Sequence, residues 1–278
     1  MRTKKIRENA LLYLILTLVA VLFIAPPVCL LVSSFKTSSQ ISVDMSNLFA
    51  FLPHGKMSLD NYKYLFGKLS VGRFFINSLI SSTVSILLAV LFNAMMGYAL
   101  GMLKFKGKGI LLSLILSLLI VPSEAVIVNK MIVVNAMGLI DRMLSLILPF
   151  MATPFYIFLF YQHFKDMPYD LMEAAIMDGC SYPQIFFKIM FPLSKPVIAT
   201  VSILLFVKRW GDVAWPAMVT RSNAIKVLPL ALQSFYGDMN DWGPIFAMGT
   251  VMTVPVMIIF VAFQKQFIQS IAMSGIKG

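Results

Sequence analysis

An all-α, polytopic membrane fold is predicted for this chain, and three observations predict it. The 278 residues are 59% hydrophobic and only 13% charged, about half the charge of an ordinary soluble domain. Several apolar runs exceed the ~18 residues that suggest a bilayer crossing. Lys and Arg gather in the segments between those runs, as the positive-inside pattern expects. The net charge of +11 is therefore read as membrane topology and not as a nucleic-acid surface.

Six spans are expected in a single transmembrane domain over 1–278, at roughly 10–33, 74–101, 110–128, 143–164, 196–218 and 244–265. The first follows a basic start (Arg2, Lys4, Lys5, Arg7) that mimics a signal peptide. The apolar run from Ala10 to Val32 is too long for that and has no small-residue cleavage site, so a retained span is expected. The turn Lys104-Phe105-Lys106-Gly107-Lys108 closes the second span on the cytoplasmic side. Pro122 interrupts the third, and the stretch Ile127 to Leu139 is expected to lie at the outer surface as a re-entrant or interfacial helix. This map puts both termini, the loop 166–192 and the tail 266–278 in the cytoplasm. The bias of basic residues to the inside is modest, because the long external segment 34–73 carries several, and long loops count for less.

That external segment has turn signals at Ser38, Ser39, Ser46, Pro53, His54 and Gly55, then a helix start at Ser58-Leu59-Asp60-Asn61-Tyr62. It reads either as a surface loop or as a docking surface for an external partner. Cys29 and Cys180 fall on opposite sides of the membrane, which argues against a mutual disulfide. His54 and His163 are far apart, and no metal-ligand spacing occurs. There is no internal repeat and no low-complexity tract.

The loop 166–192 is the most informative stretch. Asp170 and Glu173 have the spacing of a capping box that opens a helix through Ile176. Small Ala174 and Ala175 let another surface approach that helix closely. Gly179 permits a positive φ and a sharp turn. Ser181 then caps a second helix, Gln184 to Met190, with Pro183 in its first turn. Pro192 closes that helix and starts the next span. The expected product is a cytoplasmic helix–turn–helix anchored by Phe186, Phe187 and Ile189. An ordinary amphipathic loop lying on the membrane is the other reading.

The order Glu173-Ala174-Ala175, Asp178-Gly179, Ile189 and Pro192 resembles the coupling loop of permease subunits in binding-protein-dependent ABC importers. The family pattern ends Ile-x-Leu-Pro. Here Ile189-Met190-Phe191-Pro192 keeps the third position apolar. Nearly the whole chain is similar to carbohydrate permeases of the maltose-permease kind, in particular to the shorter, six-span partner of a heterodimer. Supporting stretches are Asn77-Ser78, Val121-Pro122 with Glu124, Gly138-Leu139-Ile140-Asp141, Leu148-Pro149-Phe150 and Trp210 through Trp215-Pro216. The tail from Phe263-Gln264-Lys265-Gln266-Phe267 to Gly275-Ile276-Lys277-Gly278 resembles the family's carboxyl-terminal extension.

The resemblance implies the type I ABC importer permease fold in a bacterial cell membrane. It implies a sugar or oligosaccharide cargo moved by alternating access. The implied partners are a homologous permease subunit, two ATPase subunits and an extracytoplasmic solute-binding protein, besides membrane lipid. Glu173, Ala174, Ala175, Asp178, Gly179, Ile189 and Pro192 would engage an ATPase, and Gly275, Lys277 and Gly278 would reach the ATPase dimer interface. This chain would be non-catalytic and without a cofactor of its own, with ATP and Mg bound by the partner ATPase. The residues agree, since there is no G-x-x-x-x-G-K-[ST] loop, and Gly107-Lys108-Gly109 is not one.

Candidate pathway residues are Glu124, Lys208, Arg209, Trp210, Asp212 and Trp215. Charges inside a span normally face a bundle interior or a wet path. The family usually has uncharged polar residues near Trp210, often Asn after it, and Trp210-Gly211-Asp212 departs from that. Lys208 and Arg209 form either a structural ion pair with Asp212 or Glu124, or a cationic patch for a substrate carboxylate, which would favour an acidic saccharide. Glu124 is either a pathway residue or a helix-end cap. The tryptophans either stack on sugar rings or anchor the interface. The rival functional class is an ATPase-independent secondary transporter or channel, which leaves the coupling loop unexplained. An intramembrane enzyme lacks a nucleophile–base set.

Overall fold

The computed structural model describes residues 2–238 and 241–275, and among them the chain is helical, with one isolated bridge pair, Lys36 and Met57. The helices are α1 Arg2–Ser33, α2 Ser38–Asp44, α3 Asp60–Lys68, α4 Val71–Met102 and α5 Lys108–Ser117. Then come α6 Ile127–Ala136, α7 Met143–Ile147, α8 Pro154–Lys165, α9 Asp170–Met177 and α10 Tyr182–Ile185. Last are α11 Phe191–Leu193, α12 Lys195–Trp210, α13 Ala214–Val219, α14 Leu228–Asp238 and α15 Trp242–Gly275.

Three helical stretches, Leu12–Ser33, Val71–Met102 and Trp242–Gln264, are long and apolar enough to cross a bilayer. Two bent pairs also pass by composition: Met143–Phe150 with Pro154–Lys165, at 45°, and Tyr182–Leu193 with Lys195–Trp210, at 78°. The third apolar run differs from expectation. Its helix stops at Ser117. Leu119, Ile120 and Val121 then donate to the carbonyls three residues back, so the run finishes in tight turns ahead of Pro122. The 3₁₀ pattern gains about 2.0 Å per residue against 1.5 Å in an α-helix, which lets few residues cover more depth.

The chain packs as two compact units, one formed by the stretch up to Arg73 with Ala231–Ile258, the other containing Phe74–Leu230. In the first unit the side chains of α1 from Leu12 to Ile24 are exposed and, Thr17 aside, predominantly apolar, a surface suited to lipid tails. The segment after Ser33 is folded around Lys36, a residue fully removed from solvent. Its Nζ donates to Asp44 Oδ2 at 2.8 Å and to the Phe49 carbonyl at 2.6 Å. That hydrogen bond is the main cause of an Asp44 carboxyl held below the usual range. Asn61 Nδ2 donates to the carbonyls of Ser34 and Lys36. Gly243 N–H donates to Ser38 Oγ, which ties the segment to the start of α15. A buried ion pair persists only where its remaining hydrogen-bonding capacity is also met, and here the Phe49 carbonyl and the Gln40 amide contribute to it.

The second unit is built on an intimate contact between α4 and α8. Gly97 and Gly101 lie one turn apart on α4, the small-xxx-small spacing that lets membrane helices approach closely. A Cβ at Gly97 would overlap Phe160 Cβ and come within 2.8 Å of the Phe160 carbonyl carbon and the Tyr161 nitrogen. A Cβ at Gly101 would stand 2.8 Å from Phe164 Cβ. Tyr98, Phe160, Phe164, Phe186 and Met190 complete a buried cluster there.

The bend in the Met143–Lys165 pair has an identifiable support. Between its two halves the backbone is non-helical over 151–153, where Pro154 opens α8. Buried Asn93 of α4 fills the gap. Its Nδ2 donates to the Met151 carbonyl at 3.1 Å, and its Oδ1 accepts from Thr153 N–H at 2.9 Å. Backbone groups freed within the membrane must find partners, and this side chain supplies two.

Candidate functional site

Helix α9 ends at Met177, and its end is a complete Schellman arrangement. Gly179 N–H donates to the Ile176 carbonyl at 2.9 Å and Cys180 N–H to the Ala175 carbonyl at 3.0 Å. Gly179 has φ +80°, the left-handed region that only glycine adopts without strain. Ser181 opens α10 with Pro183 in the first turn. Ser181 N–H donates to Gln184 Oε1 at 2.8 Å, the reciprocal half of a capping box.

Several expectations for this loop need correction. The residue preceding α9 is Tyr169, with no side-chain cap, so Asp170 and Glu173 lie in the first turn and do not form a capping box. Their charge there still suits the positive end of the helix. Ala174 is exposed, whereas Ala175 is buried in the core cluster, so only one of the small pair faces outward. The outward face instead presents Leu171, Ile176 and Met177, the last 86% exposed. The second helix does not close at Pro192. Tyr182–Ile185 passes into a π turn over Phe186–Met190, with Phe191 N–H bonded to the Phe186 carbonyl. The chain stays helical to Leu193, and the 78° bend falls beside buried Ser194. Proline lacks an N–H, and its ring crowds the carbonyl four residues earlier. The widened turn ahead of Pro192 makes room for it. Ile189 packs against the core cluster while Pro192 is exposed.

A second feature is a cavity of ≈ 170 Å³ within the second unit, reached by Glu124, Lys130, Phe150, Tyr156, Lys208, Arg209, Asp212 and Trp215. Of the six expected pathway residues, five line it. Trp210 does not. It is buried, stacked on Phe206 and edge-on to Phe75, in a position suited to packing. Arg209 pairs with Asp212 at 3.1 Å and sits 3.5 Å from the centre of the Phe150 ring. Asp212 Oδ1 also accepts from Trp215 N–H. Trp215 Nε1 donates to the Ser145 carbonyl at 2.8 Å, which fixes the indole as wall. Glu124 is exposed and accepts from Ser123 Oγ. Ser78, Ser81 and Ser82 line a smaller space of ≈ 20 Å³ behind Arg209 and Asp212, room for about one water. Sequence reasoning passed over Lys130, Ser81 and Ser82, and named Phe150 and Ser78 only for their family likeness and not as part of a site.

Asn77, Ser78 and Asp141, noted for their family likeness, turn out to hold the loop that follows α13. Asn77 Nδ2 donates to the carbonyls of Ala224 and Lys226, and Ser78 Oγ accepts from Leu228 N–H. Asp141 Oδ1 accepts from the N–H groups of Arg221 and Ser222, each at 2.9 Å. Those bonds, Ser222 first, lower the Asp141 carboxyl below its ordinary value. A carboxyl depressed on folding stabilises above its unfolded pKa of about 3.9, and the contribution is lost as pH falls through the folded value. Amide exchange at Arg221 and Ser222, corrected for intrinsic rates, should show protection at pH 5 that fades below that range. Asp141→Ala should lack it at both pH values. Undiminished protection in Asp141→Ala would show that the turn holds itself.

Within α15, Gly275 is the final residue. Lys277 and Gly278 of the expected ATPase-contacting tail lie outside the described residues.

Long apolar helices, a helix–turn–helix with an exposed face and a cavity lined by charged and aromatic side chains are what a membrane transport subunit requires. Residues 93–273 match the family described as binding-protein-dependent transport system inner membrane component, and the chain belongs to that family. It is 35% identical to the arabinooligosaccharides transport system permease protein AraQ of Bacillus subtilis (strain 168), over 96% of this chain and 95% of that protein. It is 29% identical to the diacetylchitobiose uptake system permease protein NgcG of Streptomyces coelicolor, over 96% of this chain and 88% of that one. Among solved structures, a chain of a bacterial ABC transporter involved in import of the acidic polysaccharide alginate superposes with a TM-score of 0.82. That match has 19% identity and covers 95% of this chain and 98% of that one. The chain is thus a multi-pass membrane component of a binding-protein-dependent transporter with the type I permease fold.

Proposed function

We propose that this chain is one of two permease subunits of an ATP-driven importer of a sugar or oligosaccharide. Its sister is a homologous permease. Two ATPase subunits bind ATP and Mg, and an extracytoplasmic solute-binding protein delivers the cargo. The saccharides in the relatives' names support the cargo class. No step of catalysis belongs to this subunit.

The observation that carries this reading is the bent pair α9–α10. Its turn is fixed by Gly179, its inner side by Met172, Ala175 and Ile185, and its outer side leaves Leu171, Ile176 and Met177 uncovered. Exposed apolar groups on a rigid bend suit a cleft in another protein. Seated in an ATPase, the bend would carry that subunit's closure into the spans, and rocking of the two permeases would expose the pathway alternately to each side. Both termini and α9–α10 then lie in the cytoplasm of a bacterial cell.

Met177→Cys tests the assignment. In membrane vesicles holding the complete transporter, it should cross-link to the ATPase subunit with a short bifunctional reagent. Uptake should require ATP. Uptake by this chain without an ATPase, or labelling of Met177→Cys from outside intact cells, would overturn the proposal.

A further inference from the structure

The charges around the second unit's cavity do not cancel. Lys130, Lys208 and Arg209 meet only Glu124 and Asp212 among the residues that line it. Arg209 and Asp212 neutralise each other at 3.1 Å, and Glu124 balances one lysine. Both Lys130 and Arg209 lie against the same ring, Lys130 Nζ 5.5 Å and Arg209 Cζ 3.5 Å from the Phe150 ring centre. A ring quadrupole attracts cations without neutralising them. By count, one positive charge on the wall therefore remains unbalanced. Lys208 is exposed and Lys130 half-buried, and among the described residues neither lysine forms an ion pair. Arg209 is held by its ion pair and by Phe150.

We infer that this cavity receives the anionic group of an acidic saccharide, with Lys130 and Lys208 as its counter-ions. The inference rests on the permease reading above and adds the substrate class to it. A neutral sugar would leave the extra cation uncompensated as the cavity closes. A uronate carboxylate restores the balance and accepts charge-assisted hydrogen bonds from both ammonium groups. Phe150 and the largely buried Tyr156 line the cavity beside them, and Trp215 backs the wall.

The test uses the complete transporter in vesicles with its ATPase and binding protein. The probes are labelled trisaccharides of galacturonate, glucuronate and mannuronate, each beside its carboxyl-reduced neutral counterpart. At least one uronate should be taken up with a kcat/KM about tenfold above its neutral counterpart, as loss of a charge-assisted bond implies. Lys130→Gln should raise KM for that uronate about tenfold more than it raises KM for the neutral counterpart, and Lys130→Arg should restore much of the loss. ATP-driven uptake of neutral counterparts at the uronate rate, or uptake of none of the uronates, overturns the inference and leaves the permease reading standing. An unchanged uronate KM in both Lys130→Gln and Lys208→Gln does the same. Uptake that proceeds without ATP removes the permease reading and the inference together.

Discussion

Gly97→Ala should lower the melting temperature of the purified, detergent-solubilised protein by about 6–12 °C, and Gly97→Val should prevent recovery of folded protein. The added Cβ meets Phe160 Cβ and main-chain atoms of Phe160 and Tyr161. Main-chain atoms cannot rotate away, so α4 and α8 must separate. Overpacking of this kind costs about 3 kcal/mol, and each kcal/mol moves the midpoint of a chain of this size by about 2–4 °C. Separation would also loosen Tyr98 from Phe164 and Phe186, which now stand 5.8 and 5.4 Å away between ring centres. Gly109→Ala is the control. It lies in α5, where a Cβ meets nothing within 4 Å, and alanine is the better helix former by about 1 kcal/mol. It should be neutral or stabilising. Equal melting of Gly97→Ala and the parent would mean that the close α4–α8 approach is not how the protein packs.

The second large effect is expected at the α9–α10 bend. Gly179→Val should cut ATP-driven uptake at least about tenfold, because a β-branched residue in the left-handed region costs about 1–2 kcal/mol and 1.4 kcal/mol is a factor of ten. Co-purification of the ATPase should fall with it. Nothing among the described residues stands within 4 Å of an added Cβ there, so the parent fold should survive with an unchanged melting temperature outside the loop. Gly179→Asn, whose side chain tolerates positive φ, should keep the turn and retain more coupling than valine does. Full uptake and full ATPase recovery with Gly179→Val would sink the coupling role of this loop.

Local signals were the ones legible in the sequence. The Gly179 turn, the Ser181 start and Pro183 in the first turn each depend on neighbours a few residues away, and each appears as read. The Arg209–Asp212 pair is likewise local, three residues apart. What stayed hidden depends on which face of a helix meets another. Ala174 and Ala175 are adjacent in sequence but point to opposite environments, and no spacing rule says which is inside. Trp210 and Trp215 both looked available for stacking. One is a packing residue against Phe206, and the other is pinned by Ser145.

The polar supports were hidden for a related reason. Asn93 finds Thr153 across 60 residues, and Lys36 looked like one more external cation before its carbonyl and carboxylate partners were known. Gly97 and Gly101 carry a recognisable spacing, and that signal was available but unused. The stop of the third apolar helix at Ser117 follows from tight turns that hydrophobicity alone does not distinguish from continued α-helix.

The π turn at Phe186–Met190 has an angular consequence. A π turn holds one residue more than the α-helical turn it replaces, and one residue is worth about 100° of rotation about a helix axis. Everything carboxyl-terminal to it is therefore phased by that extra residue. Shorten the turn by one and α12, which leaves this helix across a 78° bend, would be redirected, carrying Lys208 and Arg209 off the cavity wall. The charge pattern of the cavity wall is in this sense clocked by a bulge in the elbow that precedes it.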